Sequence, residues 1–174
     1  MARESRTPTR RSPAPPRVGG ALRILCISGP NLQLLGTREP EIYGRETLDD
    51  IHARLAKRAR ELGCTFRGRQ TNHEGEIVTW IGESRGQVDG LLLNPGAYTH
   101  TSIAIYDALR GAGIPCVEVH LSNPDAREAF RRRSRVAPAC LGRVAGFGGE
   151  SYLLALAGLV TSLKIWSNDG GRSK

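Results

Sequence analysis

Val88 to Asn94 reads VDGLLLN, an apolar run with no alternation of polar and apolar side chains. A strand with one wet face alternates, whereas a strand covered on both faces reads as a continuous apolar stretch. Leu22–Ser28 and Ile114–His120 are runs of similar kind, Cys64–Arg69 alternates loosely, and Leu141–Gly146 supplies a fifth candidate. A chain that must cover both sides of such strands needs helices between them.

The intervening segments carry that pattern. After Thr47, an N-cap residue followed by Asp49 and Asp50, apolar residues recur at Leu48, Ile51, Leu55, Ala59 and Leu62, and Gly63 is placed to stop the helix. Asn72 is the expected N-cap of a second helix, with Glu74 and Glu76 near its start and Ile77, Trp80 and Ile81 on its buried face. A third helix is expected through Ile103, Ile105, Tyr106 and Leu109, a short basic one over Asp125–Arg133, and a closing apolar one over Ser151–Trp166. Strands alternating with helices imply a parallel sheet with right-handed crossovers. The expected fold is therefore α/β, a flavodoxin-like three-layer sandwich with a five-stranded parallel sheet.

The 174 residues suffice for one domain with a full core. Residues 1–20 form an Arg/Pro-rich extension with almost nothing to bury, and are expected to be disordered and dispensable. Arg10-Arg11 is followed by prolines instead of an apolar stretch, which argues against an export signal. The domain is expected over 21–167, with 168–174 frayed. Five arginines against Glu4 place much of the net charge of +8 in the extension, so the rest is only moderately basic. That weakens a nucleic-acid reading, and no apolar run is long enough to cross a membrane. Cys26, Cys64, Cys116 and Cys140 lack Cys-x-x-Cys spacing and lie in or beside apolar runs, as buried free thiols in a reducing cytoplasm would.

Three polar clusters, Asn31–Tyr43, Asn94–Ser102 and Glu118–Asn123, follow the carboxyl ends of predicted strands, where ligands sit in folds of this class. They are expected to converge. The first is a long loop holding Asn31, Arg38 and Tyr43 among glycines and prolines. It reads equally as a surface loop with an Arg–Tyr stack and as a site that eases removal of the tyrosine proton. In the third, residues two apart on a strand share a face, so Glu118 can orient His120 as a general acid or base. The amides of Leu121 and Ser122, with the Ser122 hydroxyl, are placed to cradle a carboxylate. Asn94, His100 and Ser102 surround a turn into a helix, which alone is only a capped helix start. Arg127 and Arg131, four apart, share a helix face that is ordinarily a solvated or oligomer-contact face. His73-Glu74-Gly75-Glu76 lacks the spacing that puts two ligands on one helix face, which excludes a metal reading, and no glycine-rich nucleotide loop is present.

The blocks GPNLQLLGTREPEIYG, QTNHEGEIVTWI, NPGAYTHTS, EVHLSN, REAFR and GFGGESYLLAL stand in that order between Leu22 and Trp166. With them the chain resembles type II 3-dehydroquinate dehydratase. The resemblance implies a hydro-lyase of the shikimate pathway, interconverting 3-dehydroquinate and 3-dehydroshikimate without metal or cofactor, a step also used in quinate breakdown. It implies that Tyr43 is the base, Arg38 the cation that makes its phenolate accessible, and Asn31 the holder of a water against the enolate oxygen. His120 backed by Glu118 matches the general acid, and Leu121 and Ser122 the carboxylate cradle. Asn94, His100 and Arg131 match groups that hold ring hydroxyls, and Asp107 a residue lent by a neighbouring subunit. The family is similar in forming dodecamers built from trimers, with the Arg–Tyr loop as a lid. Ser28 stands where the family usually has Asn, and Arg133 where it often has His. A binding module that holds an anionic partner without chemistry is the rival reading, and a nucleic-acid binder the third.

Overall fold

Strand β3, Gly90–Asn94, is buried along its whole length, as a run without polar alternation requires. It pairs with β1 (Leu22–Ser28) on one side and β4 (Cys116–His120) on the other. β2 (Cys64–Gln70) and β5 (Gly142–Ala145) form the edges, all pairings are parallel, and the order is β2-β1-β3-β4-β5. This computed structural model describes residues 20–37 and 45–169. Arg38, Tyr43 and the greater part of the amino-terminal extension lie outside the described residues.

Side-chain alternation along the strands divides the core into two layers. Ile24, Cys26, Leu92, Val117 and Val119 pack under α1 (Leu48–Glu61) and α5 (Glu150–Asp169). Leu25, Ile27, Leu91, Leu93 and Cys116 pack on the opposite face under α2 (Glu74–Glu83) and α4 (Ile103–Ala112). The three-layer α/β sandwich expected from the sequence is the one observed. All four cysteines are free and buried. Burial pushes the Cys26 thiol up to about 12, and the Cys140 thiol beside it, with burial, pushes Cys116 well above its usual range.

Several local expectations give way to specific contacts. Thr47 caps α1 as foreseen, in a reciprocal capping box with Asp50. Asn72 does not cap α2: the N-cap position is His73, which makes no capping bond, and the Asn72 side chain turns toward the β1 loop. The helix expected through Ile103 and Leu109 is α4, capped by the Ser102 hydroxyl at the Ile105 amide; the turn leading into it holds a further short helix, α3 (Tyr98–Thr101), that the spacing does not announce. The basic helix over 125–133 is instead a pair of 3-10 turns, Pro124–Ala126 and Ala129–Arg131. Arg127 and Glu128 between them have extended backbones, which breaks the helical run. β3 begins at Gly90 and not Val88, because the Asp89 carboxylate turns aside to accept from the Arg23 amide and pairs with its guanidinium at 3.1 Å. The closing helix continues past Trp166 to Asp169. Among the described residues no helix is long and apolar enough to cross a membrane.

His52 of α1 lies over Gly68 of β2, where an added Cβ would come within 2.6 Å of the imidazole, and meets the Phe66 ring edge-on. Its Nε2 is buried without a hydrogen-bond partner among the described residues, and burial holds its pKa below the ordinary value despite the nearby Asp49 charge. A lowered folded-state pKa means that the unfolded chain takes up its proton first, so stability is lost as pH falls below about 6.5. Urea denaturation from pH 7.5 to 5 is expected to show this loss, and His52→Leu is expected to flatten it.

Candidate active site

The sheet order reverses between β1 and β3, so the loops leaving these two strands diverge to open a crevice at their carboxyl ends. Gly29 fastens the loops together: its amide donates to the Asn94 carbonyl at 2.7 Å, and an added Cβ would stand 2.6 Å from the Pro95 carbonyl carbon and oxygen. Only glycine lets the two main chains approach so closely. The next loop residue but one, Asn31, is left-handed at φ 66°, a conformation that asparagine tolerates better than most residues. Its amide donates to Asn72 Oδ1 at 2.9 Å, which gives the side chain of Asn72 its role in place of helix capping.

These loops and the one after β4 enclose a cavity of about 190 Å³. Asn31, Asn94, His100, His120, Leu121, Ser122 and Arg131 all line it, so seven of the side chains picked from sequence come together from four separate segments. Glu118 stands directly behind His120, its Oε1 2.7 Å from Nε2, as two-residue spacing on β4 anticipates. With Nε2 so engaged, Nδ1 is the ring nitrogen left for a ligand. Asp107 is exposed on α4 and does not line the cavity. Arg38 and Tyr43 lie outside the described residues.

The cavity is cationic on one wall. Arg131 pairs with Glu128 at 3.0 Å and lies over the Phe130 ring, while Arg127, which also lines the cavity, meets the same carboxylate at 3.4 Å. Both arginines reach the cavity although no α-helix aligns them. His100 is oriented by the Arg133 carbonyl, 2.9 Å from Nδ1. The main chain before the cradle is held as well, with the Gly148 amide donating to the Leu121 carbonyl at 2.9 Å. Among the described residues no three side chains gather as metal ligands. Glu76, from the motif that invites a metal, takes the Thr71 hydroxyl instead.

Residues 22–160 match the family model described as Dehydroquinase class II. The chain belongs to that family. A 3-dehydroquinate dehydratase of Geotalea daltonii is 53% identical over 143 residues, covering 82% of this chain and 99% of that protein. One of Phenylobacterium zucineum is 56% identical, covering 76% and 92%. Among solved structures, the type II dehydroquinase from Propionibacterium acnes superposes with a TM-score of 0.78 at 45% identity, over 82% of this chain and 98% of that one. That from Butyrivibrio crossotus gives 0.79 at 40%, over 81% and 99%.

In this dehydroquinase, several positioning contacts had no sequence signal. Tyr152 of α5 is fully buried, and its hydroxyl accepts from Asn94 Nδ2 at 2.8 Å while Asn94 Oδ1 takes the Gly96 amide. The Asn94 carboxamide therefore has one orientation. Burial raises the Tyr152 pKa well beyond the ordinary phenol value, which keeps this tyrosine neutral. Ser28, the departure from the usual Asn, is buried beside Cys26 and Tyr152 and leaves Asn31 in the cavity wall. Thr99 and Ser134 both reach Glu118, from positions 19 and 16 residues away in the chain. Tyr152→Phe strands a buried amide donor, which ordinarily costs about 1–3 kcal/mol. Chemical denaturation is expected to report a loss in that range, and substrate KM to rise as Asn94 loses its fixed orientation.

Proposed function

We propose that this chain is a 3-dehydroquinate dehydratase, carrying out the reversible loss of water from 3-dehydroquinate to give 3-dehydroshikimate through an enolate. The observation that carries this reading is the His120–Glu118 pair, 2.7 Å apart, at the wall of a cavity also lined by Asn31, Asn94, His100, Ser122 and Arg131. A buried carboxylate bonded to one nitrogen of an imidazole fixes the orientation of the ring, which a group that hands a proton to substrate needs.

In this reading Tyr43, as the phenolate, removes the proton beside the ketone. Unperturbed tyrosine titrates near 10 and each unit of lowering requires about 1.4 kcal/mol, so a cation must stand close. Arg38 supplies it. Negative charge then develops on the ketone oxygen, and Asn31 holds a water against it, an interaction that strengthens only as the enolate forms. His120 next gives a proton to the departing tertiary hydroxyl. Leu121 and Ser122 cradle the substrate carboxylate, beside the positive wall of Arg127 and Arg131, while Asn94, His100 and Arg131 hold the ring hydroxyls.

The functional domain in this reading is 21–167, with 1–20 a dispensable extension. The assembly is a dodecamer of trimers in which Asp107 enters a neighbour's site. Ile103, 64% exposed four residues before Asp107 on α4, puts an uncovered apolar side chain on the same helix face and supports that contact. Four buried free thiols suit the reducing cytoplasm.

Purified protein given 3-dehydroquinate with chelator present is expected to develop the ultraviolet absorbance of the enone product. Its absence would favour a binding module that performs no chemistry. Tyr43→Phe is expected to abolish turnover while substrate still binds, by calorimetry; retained turnover removes Tyr43 as the base. For His120→Ala, exchange of the proton beside the ketone is expected to outlast net dehydration, followed by NMR in deuterated water. Loss of both in equal measure would show that His120 is no separate acid.

A further inference from the structure

Glu118 is fully buried, and a carboxylate taken out of water needs its lone pairs satisfied. His120 supplies one contact. Ser134 supplies the next, with Oγ 2.9 Å from Oε2 and 3.1 Å from Oε1, and Thr99 Oγ1 stands farther off at 3.3 Å. A serine hydroxyl has one proton and two acceptor lone pairs. At Ser134 both acceptor places are filled, by the Val136 amide at 3.1 Å and the Ala137 amide at 2.8 Å. Its proton is thereby committed to Glu118, and the carboxylate meets a hydroxyl that can only donate.

Ser134 is also held in place from both sides without use of its hydroxyl. The Arg133 carbonyl contacts His100 Nδ1 at 2.9 Å, and the Arg135 amide donates to the Thr99 carbonyl at 2.8 Å. The main chain therefore presents the hydroxyl at a fixed point against α3, and that point lies behind the dyad.

We propose that Ser134 is a positioning residue for the acid step: by directing its single proton at Glu118, it fixes the carboxylate plane that aims His120 into the cavity. This rests on the dehydratase reading, with His120 as the acid that protonates the leaving hydroxyl. Base-side chemistry at the carbon beside the ketone does not pass through Ser134.

The test uses the full-length assembled protein and compares Ser134→Ala with Ser134→Thr, each checked for folding by circular dichroism. Ser134→Ala is expected to lower dehydration kcat about ten- to hundredfold, by analogy with the loss when the outer partner of a metal-bound histidine is removed, with little change in KM. Exchange of the proton beside the ketone is expected to persist, and Ser134→Thr to recover most of the kcat. In a His120→Ala background, Ser134→Ala is expected to add no further loss, since the residue it serves is gone. Equal loss of exchange and dehydration, the same additional loss in that background, or no loss at all would each overturn the proposal. If the alanine variant does not fold, Ser134→Cys, which keeps the volume but donates weakly, is read by the same criteria. The Nε2 proton resonance of His120 provides a readout independent of turnover. It is expected in the parent protein and Ser134→Thr, and displaced or lost in Ser134→Ala. An inactive parent whose resonance responds this way would sink the dehydratase reading and leave the contact standing. An active parent whose resonance ignores Ser134 would sink the contact.

Discussion

Gly29 and Pro95 touch through their main chains, and this contact determines where the cavity opens. β1 and β3 are neighbours in the sheet, yet the chain leaves them toward opposite faces, β1 for α1 on one side and β3 for α4 on the other. The loops would separate at once if nothing tied them. Because Gly29 admits the Pro95 carbonyl so closely, Pro30 and Asn31 stay beside Gly96 and Ala97 before the chain diverges. The third wall, from the end of β4, is in register with β3 through the pairing of Leu93 with Glu118. Side chains distant in sequence thus share one small volume by virtue of strand pairing and one backbone approach.

What could be read from sequence follows how locally each interaction is encoded. Apolar runs gave the strands, because burial on two faces leaves no room for polar alternation, and Glu118 and His120 could be paired because a strand repeats every two residues. Thr47 and Asp50 form their capping box within four consecutive positions, and it too was legible. Asn72 looked like a cap for the same local reason, but a partner from another loop, the Asn31 amide, claimed its side chain. The segment 125–133 has helical composition, yet Pro124 supplies no amide and Arg127 turns extended, so the run closes into isolated 3-10 turns. Tyr152 with Asn94, and Ser134 with Glu118, are separated by 58 and 16 residues, and nothing in either local pattern announces the partner. Asp107 carries no local signal and only the family resemblance points to it, for it stands on the surface of α4.

The site sorts its polar groups by surroundings. Tyr152 and Cys26 lie deep beneath the cavity, where burial drives both toward the neutral form. Glu118 is equally deep but is compensated by His120, Thr99 and Ser134. The arginines remain at the rim, where Glu128 engages them without closing the cavity. Neutral donors below, one carboxylate–imidazole pair in the wall and cations at the mouth is an arrangement suited to a small hydroxylated acid.

Asn31 answers to two demands at once. Its backbone is left-handed, which narrows the choice to glycine, asparagine or aspartate, and its side chain lines the cavity, which favours a neutral amide. Glycine would keep the turn and lose the amide; glutamine would keep the amide and strain the turn; aspartate would fit the turn while adding a negative charge. Drift at this position is therefore confined to its starting residue, because every neighbouring step in sequence space gives up either the shape of the chain or the chemistry it carries.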